Sequence, residues 1–124
     1  MQDGKHLILL IDDDKDFCEA MSVLIESKGY KTVTANSAEE GLKKSKEVQA
    51  DLIIVDLMME EVDAGAHFVK EMKLAGEKVP VFLLSGAGDS MSASADYASL
   101  GFSGVFQKPI DPERLFGILK AKLP

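Results

Sequence analysis

The chain has 124 residues, of which 46% are hydrophobic and 28% are charged, the composition of one compact domain rather than of a disordered chain. Acidic residues outnumber basic ones by 21 to 14, for a formal net charge of −7, so we expect no direct nucleic-acid binding and no attraction to an anionic membrane. One cysteine excludes an internal disulfide, and we expect no export signal or membrane span, which together favour a cytoplasmic location.

The first part of the chain alternates between apolar runs and amphipathic stretches. Residues 7–11 are a continuous run of branched apolar side chains, which predicts a strand buried on both faces. Apolar side chains then recur three and four positions apart over residues 16–28, and Gly29 follows where a left-handed helix cap belongs, so a helix is predicted there. Residues 31–35 alternate in polarity like an outer strand. Residues 37–40, Ser-Ala-Glu-Glu, form a capping box that opens a second helix.

The rest of the chain continues this alternation. Residues 51–56 are another apolar run that ends in an acid, which predicts a further buried strand. Phe68, Val69 and Met72 have helical spacing, and Gly76 ends that third helix. The remaining predictions are a strand over residues 79–85, a loop of small residues and a Ser/Ala-rich helix ending at residues 100–101, a strand over residues 104–107, and a last helix with Asp111 as N-cap and Pro112 as its first residue.

Five strands that strictly alternate with five helices predict an α/β fold with one doubly wound parallel sheet. Buried strands require helices on both faces, joined to the sheet by right-handed crossovers. No linker, repeat or low-complexity stretch divides the chain, so residues 1–124 are expected to form a single domain. Ligands of such sheets bind beyond the carboxyl ends of the strands, which makes the residues at those ends the candidates for a functional site.

Acidic side chains follow two of the strands, and a hydroxyl and an ammonium group follow two others. Carboxylates from strands one and three would repel one another in one crevice unless a cation lay between them. Mg²⁺ suits such a site because it takes oxygen ligands and works with carboxylates and phosphate oxygens. A serine and a lysine opposite the metal could bind a phosphoryl group, and a carboxylate can attack phosphorus. The candidates are Asp12, Asp13 and Asp14 after strand one, Asp56 after strand three, Ser85 after strand four and Lys108 after strand five.

Four motifs, LILLIDDD, DLIIVDLMM, VFLLS and FQKP, occur in this order along the chain. With them, the chain resembles the receiver domains of response regulators in two-component phosphorelays (the CheY-like superfamily) over residues 7–123. The resemblance implies a flavodoxin-like sheet in the order 2-1-3-4-5, with strands one and three side by side. It also implies that the domain is a phospho-acceptor in signal transduction rather than an enzyme.

Individual site residues take roles from the same resemblance. Asp56 would accept the phosphoryl group, and Asp12 and Asp13 would be the acid pair, with Asp13 the more direct Mg²⁺ ligand. The backbone carbonyl of Met58 would be a further ligand. Ser85 would follow the phosphoryl group with its hydroxyl, and Lys108 would be its cationic partner. The implied partners are a sensor histidine kinase or a histidine phosphotransfer protein, a downstream effector domain or protein, and a second copy of the phosphorylated domain.

Three positions depart from the family pattern. The loop after the acceptor runs into Glu60 and Glu61 where the family usually has a proline, which would make it more acidic and less rigid. Gly86 follows the serine where alanine is preferred, which lowers the local backbone restraint. Val105 stands where an aromatic ring usually moves inward on activation. We therefore expect the segment between residues 86 and 100, rather than a swinging ring, to carry the switch of a protein-interaction surface.

Two other functions are alternatives to the receiver-domain interpretation. A haloacid-dehalogenase-like phosphohydrolase would use Asp12 as nucleophile and Asp14 as acid, but it needs an acidic motif after its lysine and leaves Asp56 without a role. A receiver-like binding module without phosphorylation would not need Asp56, Ser85 and Lys108 together. Cys18 is given no function. The sequence leaves open the cognate kinase, the output, the oligomeric state, and whether the chain stands alone or is part of a longer protein.

Overall fold

The computed structural model describes residues 4–56, 64–86, 101–108 and 110–123, with residues 64–66 described by their backbone alone. This part of the chain contains five strands and four helices. The structure does not describe residues 87–100, so the Ser/Ala-rich helix predicted to follow the loop of residues 86–90 lies outside the described residues up to its end at residues 100–101. The elements in chain order are β1 Leu7–Ile11, α1 Lys15–Glu26, β2 Lys31–Ala35, α2 Ala38–Glu47, β3 Leu52–Asp56, α3 Ala64–Leu74, β4 Val81–Ser85, β5 Gly104–Gln107 and α4 Pro112–Lys122.

The strands form one parallel sheet in the order β2-β1-β3-β4-β5, which confirms the predicted topology. Strand β1 is paired on both sides, and its last residue, Ile11, lies opposite Ala35 of β2 and Val55 of β3. The strands β1, β3 and β4 are buried along their whole length, as their continuous apolar sequences require. All carboxyl ends therefore lie at the same edge of the sheet.

Helices cover both faces of the sheet. Because side chains alternate along a strand, Ile8 and Leu10 of β1 face one core cluster while Leu9 and Ile11 face the other. The first cluster includes buried side chains of α1 and α4, and the second includes those of α3, with Leu42 of α2 packed against it. This two-sided packing is the doubly wound arrangement predicted from the alternation of elements.

Element ends differ from the predicted ends by one or two residues, for local reasons. Helix α1 begins at Lys15 because the Asp14 side chain is its N-cap and accepts a hydrogen bond from Phe17 N at 3.1 Å. Strand β4 begins at Val81 instead of residue 79, since Pro80 has no N–H to donate to the ladder. Gly29 and Gly76 follow their helices with φ of 93° and 79°, which confirms them as the terminating glycines.

The caps of the other helices agree with the sequence. Ser37 is the N-cap of α2 and its side chain accepts from Glu40 N, while Asp111 caps α4 with Pro112 in its first turn. Across residues 4–56, 64–86, 101–108 and 110–123, none of the helices has the length and apolar character that a bilayer span needs.

Helix α2 approaches the sheet closely at Gly41. A Cβ built on Gly41 would lie 2.5 Å from Ile11 Cδ1 and 3.0 Å from Ile11 Cγ1, and Ile11 is fully buried at the end of β1. Real Cβ atoms do not approach carbon so closely, so only glycine allows this packing without a shift of Ile11 or of the helix.

Gly41→Ala should therefore destabilise the fold by about 1–3 kcal/mol through overpacking, despite the better helix propensity of alanine. The matched control is Gly117→Ala in α4, where a new Cβ meets no atom within 4 Å and a gain of about 0.5–1 kcal/mol is expected. Urea unfolding of both variants measures the two effects. Equal stabilisation by both substitutions would show that the α2–β1 contact is not tight.

Candidate functional site

Three acidic side chains meet at the carboxyl edge of the sheet. Ile11 of β1 lies opposite Val55 of β3, so the next residues, Asp12 and Asp56, are neighbours across the two strands. One carboxylate oxygen from each of Asp12, Asp13 and Asp56 lies within 4.8 Å of the other two. The predicted convergence of the acids from strands one and three is therefore present in the structure.

Lys108 places its ammonium among these acids. Its Nζ lies 2.6 Å from Asp12 Oδ2 and 3.4 Å from Asp56 Oδ2. Asp12 is fully buried, whereas the Lys108 side chain is 27% exposed. Burial alone would lower the pKa of Lys108, but the attraction of Asp12 and then of Asp56 outweighs it and raises this pKa above its usual value. The lysine is therefore fully charged at neutral pH and partly neutralises the acids.

Two further contacts fix Lys108 in place. Its backbone N–H donates to Ser85 O at 2.9 Å, which joins the ends of β5 and β4. On the other side, Nζ lies 4.6 Å from the centroid of the Phe17 ring of α1, within the range of a cation–π interaction. This contact between Phe17 and Lys108 depends on where α1 lies in the folded chain, so the sequence pattern gave Phe17 no role at the site.

Asp12 is held through its backbone and through its side chain. Its N–H donates to Ala35 O at 3.0 Å, and its Oδ1 accepts from Asp14 N at 3.0 Å. Its backbone carbonyl accepts from Asn36 Nδ2 at 3.0 Å and from Cys18 Sγ at 3.4 Å. Asn36 and Cys18 thus support the Asp12 backbone, a role that the sequence pattern assigned to neither. The one available signal was that Asn36 directly follows β2 and so lies at the functional edge.

Cys18 contacts the Asp12 carbonyl as a protonated thiol and not as a thiolate. Burial, followed by the negative charge of Asp12, raises the pKa of Cys18 to about 11. The sulfur therefore keeps its proton at neutral pH and can donate to the Asp12 carbonyl. This role is structural and agrees with the absence of an assigned function for Cys18.

The acid cluster meets the requirements of a hard divalent cation. Burial and then the charge of Asp12 raise the pKa of Asp13, although Lys108 opposes them. Among the described residues of the cluster, three carboxylates share the edge with the Lys108 ammonium. Asp12 Oδ2 is buried and receives no hydrogen bond of good angle from the described residues. A cluster of oxygen ligands with uncompensated charge suits Mg²⁺. Met58, the predicted carbonyl ligand, lies outside the described residues, as does Glu60.

The other predicted residues lie as follows. Ser85 is fully buried at the end of β4, one residue beyond Leu84, which pairs with Asp56. Val105 is half-buried and packs with the cluster under α3, whereas Phe106 lies in the opposite cluster and stacks on Phe82 with ring centroids 5.3 Å apart. Gly86 is half-buried directly after Ser85.

Comparison with known proteins agrees with this geometry. Residues 8–120 match the model of the response regulator receiver domain. The chain belongs to this family. The receiver-domain prediction is thereby confirmed, and the phosphohydrolase alternative finds no support. In addition, Asp14, which that alternative needs as an acid, is engaged as the N-cap of α1.

Relatives of this receiver domain include longer regulators. It is 33% identical over 109 residues to the transcriptional regulatory protein GlrR of Escherichia coli, covering 88% of this chain and 24% of GlrR. It is 32% identical over 124 residues to the response regulator protein TodT of Pseudomonas putida, covering 99% of this chain and 53% of TodT. The chain thus spans about a quarter of the first relative and about half of the second.

Solved structures show the same fold. The chemotaxis response regulator CheY4 of Vibrio cholerae superposes with a TM-score of 0.83 at 26% identity, over 96% of this chain and 99% of that one. A two-component response regulator from Clostridium difficile superposes with a TM-score of 0.86 at 26% identity, over 96% of both chains. The fold of this chain is therefore that of solved response regulators.

Replacing the lysine tests the electrostatics of the site. Lys108→Met should lower the free energy of unfolding at pH 7 by about 3 kcal/mol, because Asp12 is left buried without its counter-charge. The variant should also bind a divalent cation more tightly than the parent protein, since no ammonium competes for the same oxygens. Urea unfolding, repeated over a series of Mg²⁺ concentrations, measures both effects.

The control is Lys28→Met, which removes a lysine whose Nζ lies 5.3 Å from the Phe116 ring centroid and should cost less than about 1 kcal/mol. If Lys108→Met matched this control in stability and bound Mg²⁺ no more tightly than the parent, the ion pairs at the sheet edge would be energetically unimportant.

Proposed function

We propose that this receiver domain accepts a phosphoryl group on Asp56, with Mg²⁺ held by Asp12, Asp13 and Asp56, in two-component signalling. The observation that carries the proposal is the position of the Lys108 ammonium, 2.6 Å from Asp12 Oδ2 and 3.4 Å from Asp56 Oδ2. A positive charge held beside a nearly buried carboxylate is placed to bind the oxygens of an incoming phosphoryl group.

The donor is a phosphohistidine of a sensor histidine kinase or of a histidine phosphotransfer protein. One carboxylate oxygen of Asp56 forms a bond to phosphorus while the phosphorus–nitrogen bond of the donor breaks. The electron pair of that bond returns to the imidazole nitrogen, which leaves with the donor protein. Transfer of this kind depends on positioning and on charge stabilisation, so the arrangement of the acids and the lysine supplies most of the catalysis.

Asp12, Asp13 and Asp56 would hold the metal, with the backbone carbonyl of Met58 as a further ligand. Mg²⁺ bound there would supply positive charge that neutralises the phosphoryl oxygens. Two side chains of the protein also contact the phosphoryl group. Lys108 compensates the charge of the phosphoryl group, and the Ser85 hydroxyl donates a hydrogen bond to one of its oxygens.

Phosphorylation then changes the surface of the domain. The acyl phosphate replaces about one negative charge on Asp56 with about two and adds acceptor oxygens, which attract the Ser85 hydroxyl and the Lys108 ammonium. Ser85 is followed by Gly86 and residues 87–100, so the conformational change that alters the interaction surface occurs in that segment. Position 105 holds valine, so no aromatic ring moves inward there. The partner of the switched surface is a downstream effector domain or protein, or a second phosphorylated copy.

Residues 1–124 form one receiver domain in this proposal, and it acts in the cytoplasm. Its self-phosphorylation and self-dephosphorylation are reactions of a signalling domain, not turnover of a separate substrate. The longer relative GlrR is a transcriptional regulatory protein, which supports transcriptional regulation as the class of output.

The first test is phosphorylation without a kinase. Incubation with acetyl phosphate and Mg²⁺ should add one phosphoryl group to the intact mass, because the donor needs only the assembled site. Asp56→Asn should remove the added mass. Asp51→Asn is the matched control, since Asp51 lies at the opposite end of β3, where its Oδ2 accepts from Leu7 N at 2.7 Å, and it should be labelled like the parent.

Peptide mapping of the labelled protein identifies the modified residue. An unchanged mass in the parent protein, or label that persists in Asp56→Asn, would contradict the proposal. Loss of labelling in Asp51→Asn as well as in Asp56→Asn would indicate that the result reports on the fold of β3 and not on the acceptor.

A further inference from the structure

Asn36 contacts the backbone of the acid pair, Asp12 and Asp13, but is not itself one of the acids. It follows β2 directly, and its Nδ2 donates to the backbone carbonyl of Asp12 at 3.0 Å. This carbonyl is part of the peptide group that joins Asp12 to Asp13. Since a peptide group is planar, a hydrogen bond that fixes the carbonyl direction also fixes the directions of the N–H and N–Cα bonds of Asp13.

The other contacts of Asp12 do not restrain this peptide group directly. Its N–H, which donates to Ala35 O, belongs to the preceding peptide group, and Oδ1 is held through the side chain by Asp14 N. Within the described part of the chain, the donors to the carbonyl are Asn36 Nδ2 at 3.0 Å and the thiol of Cys18 at 3.4 Å. A thiol is a weak donor, so Asn36 supplies the stronger restraint.

Asn36 is itself fixed to the neighbouring helix. Its backbone N–H donates to Glu40 Oε1 at 2.6 Å, and Glu40 N donates to Ser37 Oγ at 3.0 Å. Glu40 lies in the first turn of α2 and also pairs with Lys44, 3.8 Å away. The amide that holds Asp12 is therefore anchored to the start of a helix and not to a free loop.

We propose that Asn36 is a positioning residue that sets the relative orientation of the Asp12 and Asp13 carboxylates and so determines the preference of the site for Mg²⁺ over Ca²⁺. The inference rests on the proposed function, which places the metal at these acids. Mg²⁺ requires near-ideal octahedral geometry at short distances, whereas Ca²⁺ accepts longer and more variable ones. A loosened acid pair therefore penalises Mg²⁺ more than Ca²⁺.

The test measures the affinity of the full chain for each metal alone. Amide chemical shifts are monitored during titration with Mg²⁺ and, separately, with Ca²⁺. Asn36→Ala should weaken Mg²⁺ binding by about 10-fold, the loss typical of residues that orient metal ligands. Ca²⁺ binding should weaken by less than about 3-fold, because its coordination tolerates the new geometry. The ratio of the two dissociation constants should therefore change.

Two variants separate orientation from general stability. Asn36→Leu keeps the approximate size of the side chain and adds no charge but removes the donor, and it should lower the preference for Mg²⁺ even if Asn36→Ala fails to fold. Thr32→Ala removes a different side-chain bond of β2, from Thr32 Oγ1 to Glu26 Oε2 at 2.9 Å, at the opposite end of the strand. It should leave the ratio unchanged.

The outcomes distinguish the two proposals. If the parent protein bound no Mg²⁺ at Asp12 and Asp13, the metal site of the proposed function would be wrong, and the role of Asn36 with it. If the parent bound Mg²⁺ but both Asn36 variants kept the parental ratio of affinities, the positioning role would be overturned while the metal site stood. Equal weakening for both metals, accompanied by a lower free energy of unfolding, would also overturn it.

Discussion

Repulsion among three carboxylates, relieved by one ammonium group, is the constraint on which the functional edge depends. Asp12 is fully buried and Asp56 nearly so, and burying charged groups so close together is unfavourable unless they are paired. Lys108 supplies the pairing from β5, at the far side of the sheet from β2. The protein thus holds acids and lysine together in advance of any ligand, which is the electrostatic condition for binding a cation and a phosphoryl group side by side.

The sheet makes this arrangement possible. Parallel strands bring every carboxyl end to one edge, and the register of β1 with β3 places Asp12 beside Asp56. The strands β1 and β3 are apolar and buried up to these positions, so the polar groups lie only at the strand ends. Close packing of Gly41 against Ile11 then fixes α2 beside the last residue of β1. Asp12, Asp56 and Ser85 are consequently buried as an extension of the core.

Much of this was predictable from the sequence, and the exceptions have physical causes. Continuous apolar runs predicted β1 and β3 because such runs require burial on both faces, and the acids that follow them predicted the cluster. Asn36 and Cys18 were missed because each acts on a backbone carbonyl, which no residue pattern records. The cation–π contact of Phe17 was missed for a similar reason, since it depends on the path of α1. The start of β4 was misplaced at residue 79 because Pro80 has no N–H to donate, although its carbonyl accepts from Ile53 N at 2.9 Å.

The central claim is that Asp56, Ser85 and Lys108 together with the acid pair form one site for a phosphoryl group and a divalent metal. The most direct measurement is a crystal structure of the protein with Mg²⁺ and beryllofluoride, which mimics a phosphoryl group on a carboxylate. The account predicts beryllium bonded to a carboxylate oxygen of Asp56, fluorine atoms within hydrogen-bond distance of Ser85 Oγ and Lys108 Nζ, and the metal beside Asp12 and Asp13. Beryllofluoride bound to another carboxylate, or a metal bound away from the acid pair, would contradict it.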